Sequence, residues 1–100
     1  MSDSYRQLKE KLVEADRAQQ HQRAVRVGER LREDHEDRLD AEDWYRIGRA
    51  LRRADRSGDA LDVCRRLYRR HSEMPQVRTL YAWCVYDLAI KDDDSPIGAS

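Results

Sequence analysis

Two stretches of the sequence, AVRVGERLREDH at residues 24–35 and ALDVCRRLYRRH at residues 60–71, share one pattern. When they are aligned, four residue types fall in register: Ala24, Val27, Leu31 and His35 lie opposite Ala60, Val63, Leu67 and His71. The same shift places four earlier residues, Leu8, Leu12, Ala15 and Ala18, on Trp44, Gly48, Leu51 and Ala54. Apolar faces that match in two successive helices predict two stacked helical hairpins.

Outside these stretches the apolar residues also recur at helical spacing, and the sequence contains no strand signals, so the expected fold class is all-α. Five helices are predicted: residues 4–18, residues 20–36, one beginning after Asp40, one starting at Ser57, and one from Pro75 to Lys91. Asp40 is a good N-cap, and the ring of Pro75 suits a first helical turn. Residues 1–91 are expected to form the helical domain, and residues 92–100 a disordered acidic tail or a linker.

The second hairpin carries a recognisable residue pattern. Its first helix has Trp44, Ile47, Gly48 and Leu51, and its second has Ala60, Cys64 and Leu67. Over roughly residues 5–91 the chain therefore resembles the tetratricopeptide-repeat (TPR) family, although Leu51 and Cys64 stand where that family has aromatic residues. The resemblance implies antiparallel helix hairpins stacked as a short right-handed solenoid of about two and a half repeats.

The charges balance, with 20 Lys and Arg against 20 Asp and Glu, so composition predicts no general attraction to nucleic acid or to membranes. No apolar run is long enough to span a bilayer, and the first residues do not form a signal peptide, so a cytoplasmic location is expected. The two cysteines, Cys64 and Cys84, lie on apolar helix faces and are expected to be reduced packing residues.

Residue patterns that support catalysis are missing from the sequence. It has no glycine-rich phosphate loop, no serine-centred elbow and no zinc-ligand spacing, so we expect no enzyme activity, no cofactor and no metal site. His35 and His71 repeat near helix C-termini, where histidine offsets the helix dipole, and a capping role is the expected one.

The fifth predicted helix is apolar on nearly all sides between Val77 and Ile90. A helix of this kind needs cover on more than one side, whereas a terminal capping helix normally has a polar outer face. We therefore expect it to form a contact surface, for a second copy of the chain, a partner protein or an adjoining domain, through Val77, Tyr81, Trp83, Tyr86 and Ile90. The alternative is that the helix folds back over the first hairpins and completes a closed bundle.

A second candidate surface follows from the resemblance, because the first helix of each TPR pair lines the concave face. The residues expected there form a basic strip with one tyrosine: Arg6, Lys9, Arg17, Tyr45, Arg49, Arg52, Arg53 and Arg78. Such a strip could hold an acidic peptide, a terminal carboxylate or phosphates, but it lacks interleaved aromatics, so nucleic acid is an unlikely ligand. The alternative is a solvated charged face with intrahelical ion pairs.

Together these features favour a non-catalytic protein–protein interaction module, a scaffold or adaptor that binds protein or peptide and can self-associate. The alternatives are an acidic-peptide or nucleic-acid binder that uses the basic strip, and the regulatory N-terminal region of a larger enzyme.

Overall fold

The computed structural model of the chain describes residues 4–97, and it describes side chains up to residue 90. Within this range the protein is all-helical, with five α helices and one short 3-10 turn. The α helices are α1 (Tyr5–Arg17), α2 (His21–His35), α3 (Ala41–Arg53), α4 (Ser57–His71) and α5 (Pro75–Ile97), and the 3-10 turn, Glu36–Arg38, precedes α3. The predicted fold class is confirmed.

Local sequence signals account for the starts of three of the five described α helices. Ser4 and Asp40 cap α1 and α3, and each belongs to a capping box that is closed by the side chain three residues later, Gln7 or Asp43. The expected N-cap at Asp40 and the expected start at Pro75 are therefore confirmed. Helix α5 is longer than expected: it continues past Lys91 to Ile97, because no residue that breaks a helix occurs before Pro96. Residues 98–100 of the predicted tail lie outside the described residues.

The turns of the first two hairpins have the same backbone conformation. In the first, the amides of Ala18, Gln19 and Gln20 donate to carbonyls of α1, and the amides of residues 54–56 donate to the corresponding carbonyls of α3. The middle residue of each turn, Gln19 or Asp55, has a positive φ, of 57° and 64°. The two hairpins therefore share the backbone conformation of their turns as well as their sequence pattern.

Ring contacts show that α1 and α2 run antiparallel, and that α4 and α5 do so as well. Tyr5, at the start of α1, contacts His35 at the end of α2, with ring centroids 6.2 Å apart. Tyr68, late in α4, contacts Tyr81, early in α5, at 5.4 Å. Ion pairs also join α1 to α3, through Asp16 and Arg49, and α3 to α5, through Arg52 and Asp87.

The core lies between the packed helices, and two glycines lie where helices approach each other most closely. A Cβ atom at Gly28 would lie 3.0 Å from Ile47, and one at Gly48 would lie 3.2 Å from Val63 and 3.3 Å from Leu80. At both positions a larger residue would force the neighbouring side chains to shift, so glycine allows α2 to pack closely on α3, and α3 on α4 and α5. The aligned residues Ala24 and Ala60 are both fully buried, as equivalent places in two hairpins require.

Candidate interaction surface

One side of α5 packs on α4 and α3 through Val77, Leu80 and Cys84, which are all buried. The assignment of Val77 to an exposed contact surface was therefore wrong. Its side chain has no exposed area, because the first turn of α5 points this position into the core. Tyr81 is half-buried, and its ring is engaged by Tyr68 of α4.

The other predicted contact residues of α5 are exposed. Trp83 is 48% exposed, Tyr86 is 55% exposed and Ile90 is 40% exposed, and Val85 adds a fourth large apolar side chain. Because so much of their surface is open, α5 does not fold back into a closed bundle that would bury them. Trp83, Tyr86 and Ile90 lie along one side of α5, three and four residues apart, and are called the α5 surface below. Val85 projects from a different side of the helix.

Contacts within the chain fix the geometry of the α5 surface. The rings of Trp83 and Tyr86 meet edge to face, with centroids 5.7 Å apart. The guanidinium of Arg52 lies 5.0 Å from the centre of the Trp83 ring, while its Nε donates to Asp87 at 2.7 Å. Arg52 of α3 therefore contacts one edge of the α5 surface. Because Trp83 and Tyr86 are already ordered, they lose little side-chain entropy when they bind a partner.

The basic strip is partly neutralised by carboxylates of the chain itself. Lys9 lies 3.2 Å from Asp40, Arg49 pairs with Asp16, and Arg52 pairs with Asp87. The first two ion pairs join the first hairpin to the second, and the third joins the second hairpin to α5, so these cations stabilise the packing of the helices.

The remaining strip residues do not form one continuous site. Arg6, Arg17, Arg53 and Arg78 are exposed and make no salt bridge to another described residue, and the Tyr45 ring is covered by Arg49 at 5.2 Å. Arg6, Lys9 and Arg17 line an open groove of about 690 Å³ along α1. Glu10 and Glu14 line the same groove, so its charge is mixed and does not single out an anion.

A buried polar cluster that the sequence did not reveal lies between α1 and α3. Asp43 has no exposed surface, and its carboxylate accepts a short hydrogen bond from the Tyr5 hydroxyl and another, at 3.3 Å, from the Asp40 amide. Lys9 and Arg46 lie 3.6 Å and 3.9 Å from its other oxygen. We call these five residues the α1–α3 clasp. The repeat alignment places Ser4 and Gln7 opposite Asp40 and Asp43, so the two capping boxes can be recognised in the sequence. No sequence pattern indicates that Tyr5 contacts Asp43.

The clasp predicts that stability falls in alkali. Burial and then the hydrogen bond to Asp43 raise the pKa of Tyr5, and hydrogen bonds and attraction from Asp40 and Asp43 raise the pKa of Lys9 although burial opposes this. Groups whose pKa is raised by folding stabilise the protein fully below their ordinary pKa, which is about 10 for both. This stabilisation is lost as the pH rises through the folded-state values, so the midpoint of urea unfolding should fall above pH 10.

The matched control is the double variant Tyr5→Phe, Lys9→Gln, which removes both titrating groups of the clasp. We expect its midpoint to be lower than that of the wild type at pH 8 and to converge on the wild-type value in alkali. Parallel curves for the two proteins across this pH range would contradict the assigned role of the clasp.

Other kinds of site find little support in the described part of the chain. It holds no group of three or more His, Cys, Asp or Glu side chains placed to bind a metal ion. None of its helices is long and apolar enough to cross a membrane. His71 is the last residue of α4, and its Nδ1 lies 3.7 Å from Glu73.

Comparison of the chain with protein-family models, with curated proteins and with solved structures found no match.

Proposed function

We propose that this protein is a non-catalytic interaction module and that the α5 surface is its binding site. The observation that carries this proposal is the exposure of Trp83 and Tyr86 as an ordered pair. Trp and Tyr supply a large share of the energy in protein interfaces, and a cluster of exposed apolar side chains usually marks a contact site. The helices are proposed to form the short TPR-like solenoid that the repeat pattern implies.

The first partner proposed is a second copy of the chain. Helix α5 follows two complete hairpins, and it packs beside α3 through Arg52 and Asp87 as α3 packs beside α1 through Arg49 and Asp16. It therefore takes the place of the first helix of a third hairpin, and no described residue supplies the second. The uncovered side exposes Trp83, Tyr86 and Ile90, so its apolar character suits an apolar partner helix.

The α5 helix of a second copy meets these requirements. A two-fold axis perpendicular to a helix pairs it with an antiparallel copy of itself and brings the same surface from both protomers together. The α5 surface carries no charge, and the nearby Asp87 is already paired with Arg52, so two copies can approach there without repulsion between like charges. Pairing would bury Trp83, Tyr86 and Ile90 from both chains.

The basic strip offers weaker support for a binding site. Its cations Lys9, Arg49 and Arg52 are occupied by carboxylates, and releasing them for a ligand would weaken the contacts between hairpins. The α5 surface needs no such rearrangement, so it is the better candidate.

The test is sedimentation equilibrium of the wild type and of the double variant Trp83→Glu, Tyr86→Glu over a range of concentrations. We expect a wild-type dimer and a variant whose dissociation constant is larger by at least about a hundredfold, since two aromatic anchors are lost and four charges enter the interface. Circular dichroism verifies that both proteins are folded.

The matched control is Gln22→Glu, Gly58→Glu, which adds the same charge at exposed positions of α2 and α4. This variant should dimerise like the wild type. A wild type that stays monomeric at hundreds of micromolar, or a control that dissociates as readily as the α5 variant, would rule out self-association through α5.

A further inference from the structure

The two cysteines of the chain meet inside the protein. Cys64 of α4 and Cys84 of α5 are both fully buried, and their sulfur atoms lie 3.7 Å apart with no disulfide between them. A sulfur–sulfur bond is about 2.05 Å long, so the atoms have to approach by roughly 1.7 Å. Rotation about the Cα–Cβ bonds and a small shift of α5 can supply this movement, because α5 is covered on one side only.

We propose that Cys64 and Cys84 form a reversible intramolecular disulfide that fastens α5 to α4, with a small-molecule disulfide such as oxidised glutathione as the oxidant. This disulfide would form on the core side of α5, so it does not depend on whether the α5 surface binds a partner.

The exchange balances in two steps. The Cys84 thiolate attacks one sulfur of glutathione disulfide, forms a mixed disulfide and releases one glutathione thiolate. The Cys64 sulfur, after losing its proton, then attacks Cys84 Sγ and displaces the second glutathione thiolate. Two electrons pass from the protein sulfurs to the reagent, and the two thiol protons end on the two glutathione molecules.

The surroundings of the pair favour this order of attack. The hydrogen bond shared by the two sulfurs lowers the pKa of Cys84, although burial opposes the change, and the positive charge of Arg52 lowers it further. The same hydrogen bond, together with burial, raises the pKa of Cys64. Cys84 is therefore the thiol that ionises first, and the thiolate is the reactive nucleophile.

Burial of the two sulfur atoms slows their reaction with the disulfide reagent. Neither sulfur is open to solvent, so the reagent reaches Cys84 only when α5 moves away from α4. Helix α5 packs on α4 and α3 and has an open outer side, and elements with few packed contacts open most easily. The thiols should consequently react more slowly in the folded protein than in unfolded chains.

The test is equilibration of the full chain with mixtures of reduced and oxidised glutathione, followed by acid quenching and mass spectrometry. We expect one dominant product, a monomeric chain lighter by two hydrogen atoms that dithiothreitol reduces back. The equilibrium constant for its formation should be at least about tenfold larger in the folded protein than in 8 M urea, because the fold holds the two sulfurs together. By thermodynamic linkage, oxidation should then raise the midpoint of urea unfolding.

The variant Cys84→Ser serves as the control, since it keeps the volume near that of cysteine and cannot form the bond. Its unfolding midpoint should not rise when glutathione disulfide is added, because Cys64 alone cannot close the intramolecular bond. Stable mixed disulfides, dimers linked through cysteine, or an equilibrium constant no larger in the folded state than in urea would each overturn the proposal.

Discussion

The substitution Asp43→Ala is expected to lower the free energy of unfolding by about 3 kcal/mol, since disrupting a buried, hydrogen-bonded charge is among the most costly single changes in a protein. Asp43 is fully buried and accepts hydrogen bonds from Tyr5 of α1 and from the Asp40 amide. Alanine would remove the contact between hairpins and the capping box of α3 together. Urea unfolding followed by circular dichroism measures the loss.

A double-mutant cycle separates these two roles. Tyr5→Phe removes only the hydroxyl that crosses from α1 to α3, and we expect a coupling free energy of about 1–3 kcal/mol between it and Asp43→Ala. In the Tyr5→Phe background, Asp43→Ala should still lower the free energy of unfolding, because the contribution of Asp43 to the capping box of α3 is still lost. If the two substitutions are additive, the hydrogen bond between Tyr5 and Asp43 contributes nothing to stability.

The substitution Gly48→Val should destabilise the protein by a comparable amount, about 3 kcal/mol or more. A Cβ atom here would already lie 3.2 Å from Val63 Cγ1 and 3.3 Å from Leu80 Cδ2, and valine adds two further methyl groups between α4 and α5. Helix α5 would be displaced first, because it is held on one side only. The measurement is urea unfolding, combined with hydrogen exchange of the α5 amides.

Gly58→Val supplies the matched control. Gly58 also lies in a helix, but apart from its chain neighbours and the backbone of its own helix no atom lies within 4 Å of the place where its Cβ would be, so the same residue change meets open space. Valine has a slightly better helix propensity than glycine, and this variant should be as stable as the wild type or more stable by a few tenths of a kcal/mol. Equal losses at Gly48 and Gly58 would show that packing against α5 is not responsible.

The sequence was sufficient to predict the helices because their signals are local. Asp40 caps α3, Pro75 begins α5, and Ala24 and Ala60 occupy matching buried places. The positive φ at Gln19 and Asp55 was not predicted, because neither residue is glycine and the repeated turn becomes visible only in the backbone. The far end of α5 was missed because aspartates and serine do not stop a helix on their own.

The candidate site was less predictable, because it depends on contacts between distant segments. Spacing alone identified α5 as apolar on nearly all sides, but it could not decide which side faces α4, so Val77 was placed on the wrong surface. The basic strip was inferred from the resemblance, which puts the first helix of each pair on the concave face, whereas the carboxylates that neutralise Arg49 and Arg52 come from other helices. Burial of Asp43 depends on Tyr5, which lies 38 residues away along the chain.

The short turns of the hairpins also bear on how the chain reaches its structure. Three residues connect α1 to α2, and three connect α3 to α4, so the first stabilising contacts form between segments that are close along the chain. Little entropy is lost in closing such loops, and proteins dominated by short-range contacts reach their native state quickly. Structure can therefore accumulate hairpin by hairpin from either end, without waiting for a remote segment to arrive.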